Sequence, residues 1–181
     1  MSIYTCSTNA FARSAICAAA RPNCSKSTWY GADAPKRSTP TAAPPAPTHF
    51  CQPVVTPAGV VIVPTANANE TAIGSFNAAN GGVSWSSTTT IATVRHHTVA
   101  GSLREGPLPS AEVDAGGVVY VAWADCRFRS SCKVNDIVYA KSTNATGTAW
   151  SAVTRVPIDA TTSGIDHFIQ GLAVNKATSG A

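Results

Sequence analysis

Two tryptophan-ending turns stand in phase in this chain: "NGGVSW" closes at Trp85 and "NATGTAW" at Trp150, 150 − 85 = 65 residues apart. Each turn follows short runs of β-branched and aromatic residues punctuated by Gly, Asn, Thr and Pro, which is the pattern of strands and tight turns. The runs are 52–56, 59–64, 71–77 and 89–95, then 109–114, 118–124, 136–143 and 152–158, and finally 170–174. No window carries a helical stripe of useful length, so the fold class is all-β. The order of the runs repeats as well. "HFCQPVV" at 49–55 is echoed by "HFIQGLAV" at 167–174, and Pro109 of "GPLPSAEV" lies 109 − 53 = 56 residues beyond Pro53. Four strands recurring at such a period predict blades whose apolar faces only neighbouring blades can cover. The expected architecture is a partial β-propeller of about two four-stranded antiparallel blades plus one extra strand: blade one at 49–95, blade two at 104–158 and the start of a third at 165–181. A β-sandwich also uses eight strands but gives no reason for the Trp turns to recur in phase.

Residues 1–48 have a different texture, rich in Ala, Ser, Thr and Pro and ending in "TPTAAPPAPT", and read as a disordered tail and linker. The charge separates along the same line. Residues 1–50 hold five basic side chains against one acid, 5 − 1 = +4, while the rest of the 181-residue chain holds eight of each. The basic excess therefore belongs to the tail and argues against a nucleic-acid groove on the folded part. No apolar run approaches the roughly 20 residues of a spanning helix. The stretch "AFARSAICAAA" is interrupted by Arg13 and lacks the basic start and sustained apolar core of a signal peptide.

The densest chemistry lies in the loop "DCRFRSSCKVND" at 125–136. Cys126 and Cys132 are six residues apart across a hairpin tip, a separation that a disulfide can close if the loop folds back. The alternative is a metal pair, but a Cys-x5-Cys without neighbouring Cys or His is a poor zinc motif. A disulfide implies an oxidising compartment, extracellular or periplasmic. Cys51 has no evident partner outside the tail cysteines Cys6, Cys17 and Cys24. Asp125 stands beside Arg127, placed to orient that arginine rather than to titrate, and Arg129 is expected to be solvated. Asp114, Asp136, His96 and His97 invite a catalytic reading, yet a His pair after a strand is more often a hydrogen-bonding element at a blade edge. Asn69-Glu-Thr and Asn144-Ala-Thr fit the glycosylation sequon.

In the Trp turns, Gly81, Gly82 and Gly147 can supply positive φ, Asn80 and Asn144 can accept backbone N–H bonds, and Trp85 and Trp150 can bury their rings between sheets. These turns resemble the Asp-box of sialidases and other BNR-repeat proteins, with Asn at the Asp position, Ala78 in place of the leading Ser and one extra residue in the second copy. The Asp-box is a folding element that does no chemistry. "PLPSAEVDAGGVVYVAWADCRF", followed by "NDIVYAKS" and the second turn, is similar to the first blade of the sialidase family. That resemblance implies a six-bladed propeller that removes terminal sialic acids. In the family, arginines grip the substrate carboxylate, a Tyr paired with a Glu attacks and an Asp serves as acid/base. Carried onto this chain, Arg127 matches a carboxylate-binding arginine. Pro107 replaces the arginine of the Arg-Ile-Pro motif, with Arg104 three residues early, and no acid follows Arg127 before Asp136. The implied site is Arg127, Asp125 and Arg104 as ligand-binding residues, with no catalytic set, no cofactor and no metal. The implied partners are sialic acid or other carboxylate sugars, and missing blades or other chains at open sheet edges. Three functions follow: glycan binding without turnover, a truncated piece of a glycoside hydrolase, or a structural repeat without ligand.

Overall fold

A computed structural model describes residues 48–175 apart from Gly81. The expected tail, with Cys6, Cys17 and Cys24, falls outside the described residues, except that Thr48 already opens the first strand.

The first sheet is a meander. β1 (Thr48–His49) and β2 (Val54–Val55) lie end to end along one edge of β3 (Val61–Asn67), which pairs with β4 (Ala72–Ala78), and β4 pairs with β5 (Thr89–Thr93). The break between β1 and β2 coincides with Phe50, whose φ of 53° takes the chain out of the extended region. The second sheet runs β6 (Ser110–Val113), β7 (Val119–Asp125), β8 (Asp136–Lys141), β9 (Thr154–Arg155) in spatial as in sequence order, all antiparallel. These two sheets, each with four strand positions in the same order, are successive blades of a partial propeller. The described residues hold no α-helix, and no helix is long and apolar enough to cross a membrane.

One core joins the sheets. Ile62, Ala66 and Ile73 from the first pack with Val119, Val121, Trp123, Val138 and Ala140 from the second. All seven residues of β7 are buried, because this strand is covered on both faces, which is why its sequence is a continuous apolar run rather than an alternation. Polar ties cross the same boundary. Gln52 donates from Nε2 to Ala111 O (3.0 Å) and accepts at Oε1 from Ala111 N and Ser110 Oγ. Trp150 Nε1 donates to Ser75 Oγ (3.2 Å) and Gly147 O (2.9 Å).

The Trp turns close as their residue types require. Asn80 Oδ1 accepts from Ser84 N at 3.1 Å and Asn144 Oδ1 from Thr148 N at 3.0 Å, while each side-chain amide donates to the hydroxyl of that same residue. Gly82 and Gly147 have φ of 91° and 65°; Gly81 is outside the described residues. The equivalent bonds Asn77 N to Ser86 Oγ and Lys141 N to Ser151 Oγ bracket the turns. Their spans, 86 − 77 = 9 and 151 − 141 = 10, locate the one-residue insertion inside the second turn.

The run at 170–174 forms no ladder. Its bonds are made through side chains instead: Gln170 Nε2 donates to Leu108 O and Ala122 O, and Ser110 Oγ accepts from Leu172 N. A cavity of about 500 Å³ lies between this segment and the outer face of the second sheet, lined by Ile137, Tyr139, Val156, Ile158, Phe168 and Leu172 among others. Arg127 does not line it.

Candidate functional site

The tip of the β7–β8 hairpin gathers most of the charged side chains of the folded part. β7 ends on Asp125, which is wholly buried and accepts five hydrogen bonds. Oδ1 takes Arg127 N (2.8 Å) and Nε (3.0 Å); Oδ2 takes Arg127 Nη2 (2.7 Å), Trp123 Nε1 (3.2 Å) and Arg95 N (3.3 Å). A buried carboxylate needs such saturation, since leaving it unpaired is costly. With its oxygens so engaged, Asp125 holds Arg127 in place. Arg127 Nη2 also donates to Thr93 O. That leaves the Nη1 edge of a guanidinium whose side chain is 23% exposed.

The loop after Asp125 is fixed at both ends. Cys126 is bonded to Cys132, with their Cα atoms 4.9 Å apart. Cys126 N donates to Arg95 O at 2.7 Å, and the turn is closed by Arg129 N to Cys126 O and Cys132 N to Arg129 O. Ser131 and Cys132 have φ of 56° and 52°, a left-handed conformation that costs non-glycine residues free energy. Phe128, in the same loop, is 40% exposed. Cys51 has no disulfide partner among the described residues.

Arg129 is not solvated, contrary to expectation. Its side chain is 1% exposed and chelates Asp136 through Nε to Oδ2 (2.8 Å) and Nη2 to Oδ1 (2.6 Å). Nη2 also reaches Asp159 Oδ1, and Nη1 reaches Ala160 O and Ser163 O. Arg155 Nη2 bonds the same two carboxylates, and His167 Nε2 lies 3.1 Å from Asp159 Oδ2. Burial pushes the Asp136 carboxyl up, but the Arg155 and Arg129 guanidiniums outweigh it and hold it below the ordinary range. Asp159 is held low by the Ser163 hydroxyl first, then by His167 and Arg129. Asp136, Asp159 and His167 stand close enough to share a cation. Two guanidiniums already occupy the position of that cation, so this donor set is a closed ion cluster and does not fit a metal.

Asn135, wholly buried, ties the connectors to this hairpin. Its Oδ1 accepts from His97 N (2.8 Å), its Nδ2 donates to His97 O (2.6 Å), its own N donates to Asp166 Oδ1 (2.7 Å), and its O accepts from His167 N (3.0 Å). His96 Nε2 pairs with buried Glu105 at 2.8 Å, and His97 lies 3.8 Å from Asp166. The histidine pair is thus a set of ties, as its place after a strand suggested. Asp114 accepts from Val118 N at 2.9 Å and lies 3.5 Å from the Tyr120 hydroxyl, closing the β6–β7 turn away from the hairpin tip. Burial, then Asp114, raises the Tyr120 hydroxyl pKa. Arg104 is exposed in the connector between the sheets, and no contact joins it to Arg127.

The structure thus brings Asp125, Arg127 and the disulfide together and leaves Arg104 apart. Sequence reasoning missed Arg95, which ends the first sheet's last run, and the Arg129–Arg155 cluster. The cluster's only signal was the surplus of Arg and Asp at 125–136 and 155–167, and Arg95 had none.

No family model and no curated protein sequence matches this chain. Among solved structures it is similar to one described as NanB plus Optactamide, at a TM-score of 0.42 and 16% identity over 60% of this chain. It is also similar to an exo-beta-1,3-galactanase from Clostridium thermocellum, at a TM-score of 0.40 and 15% identity over 65% of this chain. The chain spans 14% and 23% of the lengths of those proteins.

Proposed function

We propose that this chain is a sialidase-like propeller segment that binds a carboxylate sugar at Arg127 and does not turn it over. The observation that carries this reading is the immobilised guanidinium: Asp125 and Thr93 O hold three of its N–H groups, and the Nη1 edge remains for a ligand. A guanidinium fixed in advance suits a carboxylate, to whose oxygen the remaining Nη1 N–H can donate a charge-assisted hydrogen bond. Phe128, the next residue in the chain, is 40% exposed and adds an aromatic side chain against which the apolar side of a sugar could pack.

Turnover is disfavoured by the state of the acids. Asp125 and Asp136 are both buried and engaged by arginines, so neither presents a lone pair to a substrate. An arginine that binds ground state and transition state alike does not lower a barrier. The Trp turns belong to this reading as Asp-box-type folding elements with Asn in the Asp position. The disulfide belongs to it as the mark of an oxidising, extracellular or periplasmic setting.

The test is a titration of N-acetylneuraminic acid against the purified protein and its Arg127→Ala variant, beside incubation with a fluorogenic sialoside. Saturable binding lost in the variant, with no fluorophore released above a blank, is the expected result. Identical titrations would remove the binding claim; release abolished by Arg127→Ala would show an enzyme.

A further inference from the structure

We infer that Arg95 supplies the positive charge that draws a carboxylate to the Arg127 site. The inference rests on the proposed reading of that site and adds a residue to it. Arg127 is matched in charge by Asp125, its own chelating partner, so the pair is neutral and offers an anion hydrogen bonds but no net attraction. A carboxylate must give up part of its hydration to bind, and an uncompensated cation nearby offsets that cost.

Arg95 meets the requirement. Its main chain is fastened to the site on both sides: its N–H donates to Asp125 Oδ2, and its carbonyl accepts from Cys126 N at 2.7 Å. Its side chain is exposed and makes no ion pair or hydrogen bond among the described residues. The acids of the adjoining connectors are engaged elsewhere, Glu105 with His96 and Val99 N, and Asp166 with His97 and Asn135 N. Lys133 is also exposed, but it sits beyond the disulfide and is not bonded to Asp125. It therefore serves as a charge-matched control.

The experiment titrates N-acetylneuraminic acid against the wild-type protein, Arg95→Gln and Lys133→Gln at low and physiological ionic strength. Neither side chain holds the fold, so all three should unfold at the same urea midpoint. The inference expects Arg95→Gln to bind about ten-fold more weakly, the scale of a lost charge-assisted contact. It also expects the salt dependence seen in the wild type to vanish in Arg95→Gln, with Lys133→Gln close to wild type. Wild-type affinity and salt dependence in Arg95→Gln would overturn the role of Arg95 while leaving Arg127 standing. An equal loss in Lys133→Gln would overturn it too, since charge anywhere on the rim would then suffice. No binding by the wild type would bring down the reading of the site itself.

Discussion

Replacing Arg129 by methionine removes five hydrogen bonds and leaves Asp136 buried with Arg155 as its remaining guanidinium partner. Breaking one side of a buried ion pair typically costs about 3–5 kcal/mol. Since Arg155 stays, the lower end is expected, read as a shift of the urea midpoint, whereas Arg104→Ala on the exposed connector should shift it little. The same cluster sets an acid limit. Asp136 and Asp159 are held below their ordinary pKa in the folded state. Their contribution is therefore complete above the unfolded-state value of about 4 and is lost as pH falls through and below it. Urea midpoints measured downward from neutral pH should decline below about pH 4, and less steeply in Arg129→Met. Arg129 was illegible in the sequence for a definite reason. Its partners lie 136 − 129 = 7 and 159 − 129 = 30 residues on, and only the fold brings them to one point. Asp125 and Arg127 were legible because a two-residue separation at a strand end lets one carboxylate chelate the other's guanidinium without help from topology.

The two Trp turns look alike in sequence and differ in their surroundings. Trp150 Nε1 reaches Ser75 Oγ on the neighbouring sheet as well as Gly147 O. Trp85 packs edge-on against Phe76 at 5.3 Å, and its buried Nε1 finds no acceptor among the described residues. Trp150→Phe should therefore cost about 1–2 kcal/mol from two lost hydrogen bonds, while Trp85→Phe, which discards an unsatisfied donor, should be neutral or mildly stabilising. Equal losses in chemical denaturation would contradict the assignment of the cross-sheet bond. Strand positions were readable at this scale because alternation and turn residues are local. The break at Phe50 and the missing ladder at 170–174 were not, since each depends on which neighbour a segment finds rather than on its own propensity.

At the scale of the whole molecule, one core is shared by both sheets, so neither should melt alone. Ile62 is fully buried at that boundary, and Ile62→Ala should lower stability by about 2–5 kcal/mol while far-UV and near-UV signals still move together. Separate transitions would mean that the blades fold independently. The recurrence of the Trp turns carried the architecture from the sequence. The direction in which the hairpin tips gather their charges emerged only from the packed sheets. The central claim is that a fixed arginine takes a carboxylate sugar, and the Nε–H resonance of Arg127 in a proton–nitrogen NMR titration tests it most directly. The account predicts a saturable shift of that resonance with N-acetylneuraminic acid and none with galactose. An unmoved Arg127 signal, with shifts confined to other parts of the protein, would contradict it.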